Sequence, residues 1–252
     1  NISLAALFTG KNFIELTEID STNVAAMELL ATDVPEGTVI WAHHQTAGKG
    51  QRGNKWQSEK GKNLLFSLIY YPEFIPLLEV FCLSKAMCLG GRAALAHFLP
   101  EQLIQVKWPN DVRINHKKVA GILIENNLSA GKLSASITGI GLNVNQEVFH
   151  DEVASSATYM MLQSTAAFDR EEVLHHILEE IEQRYLRLKA NGSKAMDQEY
   201  YQHLYGFHEW VPVKKDGKEM LAKIIAIEPS GDVLMEIEGK QRTFGLKEIS
   251  FS

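Results

Sequence analysis

The chain has 252 residues, of which 45% are hydrophobic and 22% are charged, proportions typical of globular proteins and unlike those of collagen or disordered chains. Its 25 Lys and Arg against 31 Asp and Glu residues give a net charge of −6. This balance argues against a protein that wraps duplex DNA, because a basic face supplies most of that affinity. No apolar run approaches the roughly 20 residues of a membrane helix, so no membrane partner is expected.

The first hundred residues are predicted to mix strands and helices without a regular βαβ pattern. Strands are predicted over 13–18, 38–42 and 64–71. The polar residues Ser21, Thr22 and Asn23 precede apolar residues at helical spacing, which predicts an amphipathic helix with a Ser or Thr N-cap. Residues 75–98, rich in Ala, Leu and Gly, are predicted to form the longest buried helix.

After Pro100 the pattern changes to short strands over 105–108, 111–115, 118–125 and 133–141, followed by helices over 169–189 and 193–205. From residue 207 onward, strands and tight turns alternate over about 45 residues, which suits a small β-barrel. We therefore predict two domains, a large α+β domain over 1–206 and a small barrel over 207–252.

The cysteines and the N-terminus carry little functional signal. Cys82 and Cys88 lie six positions apart in the predicted long helix, so they point in different directions and predict buried thiols rather than a disulfide or zinc site. The histidines form no helical metal-ligand pair, and no metal site is predicted. The first eight residues lack the basic segment and cleavage site of a signal peptide. A cytoplasmic protein is the expectation.

A glycine-rich segment over 48–53 matches the pattern G-x-G-x-x-G. A dinucleotide fingerprint needs a helix to follow, and no apolar helical stripe does, so that interpretation fails. What remains is a cationic loop with Lys49, Arg52, Lys55 and Trp56. Either the loop folds over an anionic ligand, or it is an ordinary solvated surface loop, and composition leaves both open.

Two lysines lie at strand ends, where they could meet an anion. Lys107 precedes the turn Pro109–Asn110–Asp111, and a lysine that is buried there needs an anionic partner, either Asp111 or a bound nucleotide with its metal. Lys118 lies at the mouth of an apolar strand. The alternative for Lys118 is an exposed lysine that simply begins a strand.

Glycines recur beside these strands. Gly121 leaves room for a ligand to approach the backbone. Gly139 and Gly141 either mark a bulge or let the chain pass close to a flat ligand, with Asn143 free to hydrogen-bond it. No nucleophile with a recognisable base is present, a profile that suits an enzyme that orients reactants and offsets charge.

Taken in order, the segments at 21–23, 45, 48–56, 107–111, 118–125 and 139–143 closely resemble those of the biotin–protein ligases, and the resemblance covers most of the chain. It implies an α+β catalytic domain related to class II aminoacyl-tRNA synthetases, with a mixed sheet and helices, and a small C-terminal SH3-like β-barrel. It also implies two steps. Biotin and ATP, with Mg²⁺ bound through the ATP phosphates, give biotinyl-5′-AMP and pyrophosphate, and the acyl group then passes to a lysine of a biotin carboxyl carrier protein.

The resemblance also implies which residues bind the substrates, because each matches a position of a family motif. The residues implied to bind biotin are Ser21, Thr22, Asn23, Gln45, Gly48, Lys49, Gly50, Gln51, Arg52, Trp56, Lys118, Gly121, Gly139 and Gly141. Those implied to bind the nucleotide are Arg52, Lys107, Asn110, Lys118 and Asn143. Lys118 and Arg52 would offset the repulsion between the biotin carboxylate and the α-phosphate, and Asp111 would help to deprotonate the carrier lysine.

One departure concerns the loop, where Lys49 and Gln51 replace two arginines of the arginine-rich family pattern, so we expect faster release of the adenylate than in arginine-rich relatives. The closest alternative function is lipoate–protein ligation, and a second is a non-catalytic biotin or adenylate sensor. The loop and the C-terminal barrel favour biotin, and the presence of Lys107, Asn110 and Lys118 together favours catalysis. A third alternative is an α+β domain whose lysines are merely solvated.

Two expectations concern partners. Some relatives carry an N-terminal helix-turn-helix, but only about 12 residues precede the first strand, so we expect no such module and no nucleic-acid partner. The oligomeric state stays open, with a homodimer formed by edge-strand pairing as one alternative.

Overall fold

The computed structural model describes residues 6–149, 155–246 and 248–251. The strands there are β1 (Phe13–Leu16), β2 (Thr38–Ala42), β3 (Leu64–Tyr70), β4 (Ile104–Lys107), β5 (Asp111–Ile114), β6 (Lys117–Ser129), β7 (Lys132–Leu142), β8 (Trp210–Lys215), β9 (Lys218–Ile227), β10 (Val233–Ile237), β11 (Lys240–Phe244) and β12 (Ser250–Phe251). The α-helices are α1 (Thr22–Leu29), α2 (Phe81–Ala96), α3 (Arg170–Asn191) and α4 (Asp197–His203). This content is α+β, as the sequence predicts.

The first seven strands form one mixed sheet in the order β1-β2-β3-β7-β6-β5-β4. The β1–β2 pair is parallel and the other pairs are antiparallel. The register brings small residues together in the middle of the sheet. Gly139 of β7 lies opposite Ser67 of β3, and Gly141 lies opposite Gly121 of β6.

The two faces of this sheet are filled differently, because successive residues of a strand point to opposite sides. On one face α2 and α3 pack together over a large apolar core that includes Phe66 and Leu68. On the other face α1 covers a small cluster around Ala26 and Ile69. Beyond that cluster the second face carries glycine and serine, so the apolar packing stops there and a recess begins.

The last five strands form a second, antiparallel sheet in the order β11-β10-β9-β8-β12. Its inward residues, such as Val213 and Met235, belong to the same apolar core as the large sheet. The buried indole of Trp108, in the turn between β4 and β5, donates a hydrogen bond of 2.8 Å to the carbonyl of Gly231, in the turn between β9 and β10. This contact ties the β4–β5 turn to the C-terminal part of the chain.

Several predicted elements agree closely with the structure, but the helix over 75–98 does not. Residues 77–79 form a short 3₁₀ turn in which Leu78 is 83% exposed, and α2 begins only at Phe81. The longest helix is α3, whose N-cap Asp169 accepts a hydrogen bond from the backbone of Glu171. The predicted bounds were therefore too wide, because apolar composition alone did not register the break at Pro76. Among the helices described here, α2 nevertheless has the most buried residues, as the sequence predicts.

The prediction of two unpaired buried thiols is confirmed, and burial raises the pKa of Cys82 to about 12. None of the helices described here is both long and apolar enough to cross a membrane.

Candidate active site

A recess on the second face of the large sheet brings most of the predicted site residues together. Its lining consists of Ser21, Thr22, Asn23, Gln45, Lys49, Gly50, Gln51, Trp56, Asn110, Lys118, Gly121, Ile122, Leu123, Gly139, Ile140 and Gly141. Segments that are up to 120 positions apart in the chain thus meet because α1, the glycine-rich loop, β6 and β7 share one face of the sheet.

The floor of the recess depends on glycine. A Cβ atom at Gly121 would lie 2.9 Å from the Trp56 indole and 3.0 Å from the Lys118 side chain. At Gly139 it would overlap the Asn23 carboxamide, and at Gly141 it would overlap the Trp56 rings. The Trp56, Lys118 and Asn23 side chains therefore lie directly on bare backbone at these glycines.

One end of the recess is polar and uncharged. Gln45 Oε1 accepts hydrogen bonds from the Thr22 backbone N–H at 2.7 Å and from the Thr22 hydroxyl at 3.1 Å. Ser21 occupies the N-cap position of α1 but makes no side-chain cap, because Gln45 satisfies the first turn of the helix instead. These bonds fix the orientation of the Gln45 amide, so that its Nε2 is left to donate toward a ligand.

The same end presents hydrogen-bond acceptors beside this donor. The Ser67 hydroxyl donates to Asn23 Oδ1 at 2.6 Å and lies 2.8 Å from Thr22 Oγ1. Asn23 is 4% exposed and its Oδ1 lies over Gly139. A carbonyl oxygen accepts two hydrogen bonds, so Asn23 Oδ1 can accept a second one from a ligand. The neutral end can therefore bind a group that carries both an acceptor and a donor.

The opposite end of the recess is charged. Lys118 Nζ lies 2.7 Å from Asp111 Oδ1 and 5.5 Å from the Trp56 ring. The strand pairing explains this contact, because Asp111 begins β5 directly beside Gly121 of β6. Asn110 is held by a 2.6 Å hydrogen bond from its Nδ2 to the carbonyl of Ile122. Asp111 thus partners Lys118 and not Lys107, which answers the question that the sequence leaves open about Asp111.

Lys107 lines a second cavity, which shares Trp56, Asn110 and Lys118 with the first. Its ammonium lies 5.9 Å from the Phe251 ring, and burial lowers the pKa of Lys107 while the Asp111 carboxylate opposes that shift. Among the described side chains, no carboxylate lies within ion-pair distance of Lys107. A partly desolvated cation without a close partner is suited to bind an anionic ligand.

The glycine-rich loop forms one wall of the recess. It closes on itself through hydrogen bonds from Trp56 N–H to Gly48 C=O at 2.9 Å and from Gly50 N–H to Asn54 C=O at 2.7 Å. A short 3₁₀ turn over Gln51–Gly53 forms its tip, and Gly53 has a φ of +83° that favours glycine. Lys49, Gly50 and Gln51 of this loop therefore border the recess. Arg52 is in this turn, but its side chain lies outside the described part of the structure.

The remaining predicted residues lie close to the recess rather than in it. Asp111 lines the second cavity, and Gly48 lines two outer cavities on either side of the loop. Asn143 is 4% exposed and donates from Nδ2 to the Thr158 carbonyl at 3.1 Å, and its buried Oδ1 has no partner among the residues that the structure describes. Such an orphan acceptor is a candidate for a ligand donor. Within the residues described, no three His, Cys, Asp or Glu side chains are grouped so as to hold a metal ion.

Several residues of the site are not predicted from the sequence. Ser67 was included in a continuous apolar strand, although a lone serine within such a strand was a signal that one position faces something polar. Glu125, at the end of the predicted strand, accepts a hydrogen bond of 2.7 Å from Asn23 Nδ2. Leu246 and Phe251 line the second cavity from the C-terminal sheet, a contact between distant segments that no local pattern could indicate.

Comparisons with known proteins agree with this geometry. The model of the Biotin/lipoate A/B protein ligase family matches residues 14–143. The Bifunctional ligase/repressor BirA of Bacillus spizizenii is 32% identical over 234 residues, which cover 91% of this chain and 70% of that protein. The biotin–acetyl-CoA-carboxylase ligase of Mycobacterium tuberculosis is 31% identical over 196 residues, covering 75% and 71% of the two chains.

A solved structure, the biotin protein ligase from Aquifex aeolicus in complex with biotin and ATP, superposes with a TM-score of 0.78. It is 30% identical to this chain, and the alignment covers 96% of this chain and 99% of that one. The family model spans both sides of the recess, from β1 to the end of β7. This chain therefore belongs to the biotin/lipoate A/B protein ligase family.

Proposed function

We propose that this chain is an ATP-dependent biotin–protein ligase, which joins biotin to a lysine of a biotin carboxyl carrier protein and releases AMP and pyrophosphate. One observation carries the proposal: a single recess joins a neutral end, made by Gln45, Thr22 and Asn23, to a cationic end at Lys118. Biotin has the same two ends, a neutral cyclic urea and a carboxylate. The named relatives, among them biotin–acetyl-CoA-carboxylase ligases, support the same function.

The neutral end suits a cyclic urea, which offers one carbonyl acceptor and two N–H donors. Gln45 Nε2 can donate to the carbonyl, and Asn23 Oδ1 can accept from an N–H group. A buried site that is built to hydrogen-bond a ligand strongly rejects an analogue that lacks the matching group. Lipoate has no urea, so these amides favour biotin over lipoate.

The charged end suits the activation step. A biotin carboxylate oxygen attacks the α-phosphorus of ATP, the new P–O bond forms as the bond to pyrophosphate breaks, and biotinyl-5′-AMP results. Two anions must approach each other for this reaction. Lys118 lies where both can meet its ammonium. We propose that the loop over residues 48–56 closes over the bound substrates and excludes water, which strengthens the attraction. Arg52 and Lys107 are proposed to bind the phosphates, with Asn110 and Asn143 on the nucleoside.

In the transfer step, the neutral ε-amine of the carrier lysine attacks the carbonyl carbon of the mixed anhydride. AMP leaves as the bond between this carbon and the phosphate oxygen breaks. The amine loses one proton in the process. Asp111 is the carboxylate at this end of the recess, and we propose that it accepts this proton. Its pairing with Lys118 means that the two residues act as a unit.

Mg²⁺ is proposed to arrive with the ATP phosphates, whose charge it would neutralise. Among the described residues, Asp111 is the carboxylate that lines the second cavity, and it is paired with Lys118. These side chains therefore do not resemble a metal site whose ligands all come from the protein.

The finer architectural predictions are part of the proposal: a class II synthetase-like catalytic domain over 1–206 and an SH3-like barrel over 207–252. The cytoplasmic location, the absence of a nucleic-acid partner and a homodimer stay predictions.

The test is acylation of a carrier domain. The purified chain is incubated with ATP, Mg²⁺ and a biotin carboxyl carrier domain, with either biotin or lipoate, and the carrier is analysed by intact mass. We expect one biotin per carrier, and none when its acceptor lysine is replaced by arginine. Transfer of lipoate but not biotin would overturn the proposal, as would formation of neither adenylate nor acylated carrier.

A further inference from the structure

We propose that Glu125 is a positioning residue, which sets the orientation of the Asn23 amide so that an acceptor faces the urea of the substrate. This inference rests on the proposed biotin ligase function. Glu125 is not among the residues that line the recess, so its effect on the substrate would pass through Asn23. Glu125, a residue outside the recess, would in this way contribute to substrate specificity.

The geometry begins with strand β6. Gly121, Leu123 and Glu125 alternate along this strand and therefore share one face of the sheet. Gly121 and Leu123 line the recess, and Glu125 follows at its rim, where its Oε2 accepts a hydrogen bond of 2.7 Å from Asn23 Nδ2. The carbonyl of Leu123 lies 3.4 Å from the same nitrogen and makes a weaker contact.

The orientation of an asparagine amide is decided by its partners, because its oxygen and nitrogen are nearly equal in size. The partner on the other side, the Ser67 hydroxyl, can donate or accept, so it tolerates either orientation. A carboxylate only accepts, so Glu125 requires Nδ2 on its side. Asn23 Oδ1 must then lie over Gly139, inside the recess.

This orientation matters for recognition of the urea. With Oδ1 in the recess, Asn23 accepts a hydrogen bond from a urea N–H, while Gln45 Nε2 donates to the carbonyl. If the Asn23 amide were reversed, two donors would face each other and the substrate N–H would be buried without an acceptor. Leaving a buried polar group unpaired weakens binding.

The test compares Glu125→Leu with the unchanged protein. We expect the Kd for biotin to rise about tenfold, the size expected for a lost hydrogen bond to an oriented amide. The KM for biotin should rise in parallel, with kcat at saturating biotin and the KM for ATP nearly unchanged. The melting temperature should fall by a few degrees, because the buried Asn23 Nδ2 loses its carboxylate partner.

A second probe separates orientation from general damage. In a cyclic carbamate analogue of biotin, oxygen replaces one urea N–H without added bulk, and both positional isomers are used. The unchanged protein should discriminate against the isomer whose oxygen faces Asn23. In Glu125→Leu this discrimination should shrink about tenfold, because a freely rotating amide can donate to that oxygen.

A paired exchange provides a rescue. Asn23→Asp alone sets two carboxylates against each other and should bind biotin poorly. Asn23→Asp combined with Glu125→Gln restores a donor and an acceptor at the contact and keeps an acceptor over Gly139, so binding should recover to within about threefold.

An unchanged Kd and unchanged discrimination in Glu125→Leu would overturn the inference. So would an equal rise in the KM for ATP, or a double variant that binds biotin no better than Asn23→Asp. Should Glu125→Leu fail to fold, the paired exchange decides alone. Failure of the proposed ligase function would give a different result from failure of this inference, because the unchanged protein would then form no biotinyl adenylate.

Discussion

The two ends of the recess achieve recognition in different ways. At the neutral end, the hydrogen bonds among Thr22, Gln45, Ser67, Asn23 and Glu125 already fix every amide before any substrate is present. At the charged end, Lys118 is paired with Asp111, but Lys107 lacks a close carboxylate, and the Asn143 acceptor has no partner among the described residues. The neutral end is complete without substrate, whereas the charged end is not.

This difference follows from the chemistry of the two substrate ends. A neutral urea gains little from charge and is selected by the direction of hydrogen bonds, so its partners must be oriented in advance. Two anions that react with each other need cations whose contacts change during the reaction. Substitutions at the neutral end should therefore change biotin affinity, and substitutions at the charged end should change rates and the use of ATP.

The largest expected effect is at Lys118. In Lys118→Met the aliphatic stem stays and the ammonium is lost, so we expect adenylate formation to slow about 10³-fold, as for loss of a group that stabilises transition-state charge. Single-turnover formation of biotinyl-5′-AMP measures it. Exposed Lys117 precedes it in β6, so Lys117→Met is the matched control and should act like the unchanged protein. A normal rate of adenylate formation in Lys118→Met would contradict the difference that we infer between the two ends of the recess.

Ser67 and Phe66 offer a sharper test, because these neighbours on β3 point to opposite faces of the sheet. Ser67→Ala removes the donor to Asn23 Oδ1, so the Kd for biotin should rise about tenfold. Phe66→Leu, in the core against α2 and α3, should cost about 1 kcal/mol of stability and leave the Kd unchanged. Isothermal titration measures the Kd for biotin, and urea unfolding measures the stability. An equal change of the Kd in both variants would contradict the assignment of the site to one face of the sheet and the core to the other.

The pH dependence of ATP use tests Lys107. Burial lowers the pKa of Lys107, so its ammonium loses its proton at a lower pH than an exposed lysine does. Phosphate binding needs the charged form, so the KM for ATP should rise severalfold as the pH is raised through that pKa. Arginine stays charged across this range, so Lys107→Arg should flatten the profile. The KM for biotin serves as the internal control and should not follow the same curve.

The smallest expected effect concerns the loop. Gln51 lines the recess, and Gln51→Arg restores one of the cations that the arginine-rich family pattern has. We expect the adenylate to dissociate a few times more slowly, in keeping with about 1 kcal/mol for one partly exposed charge pair. Release of labelled adenylate measures this rate. Gln241→Arg, on exposed β11, adds the same charge away from the site and should leave the rate unchanged.

Local patterns predicted much of this site. The strand over 38–42 and the helix after Asp169 agree closely with β2 and α3, because apolar alternation and a capping residue are short-range signals. The glycines of β6 and β7 were also identified, although their pairing depends on a register that only the assembled sheet defines. Ser67 and Glu125 were missed because each matters through Asn23, which is more than 40 positions away in the chain.

The hydrogen bond from Trp108 to Gly231 has a practical consequence for anyone who shortens or splits this protein. The turn that carries Lys107, Asn110 and Asp111 is tethered by that indole to the C-terminal sheet. Cutting the chain at the predicted boundary near residue 206 would free the tether and leave the indole N–H without its acceptor. Reporters or fusions made from this ligase should therefore keep both sheets on one polypeptide, with any tag attached beyond β12.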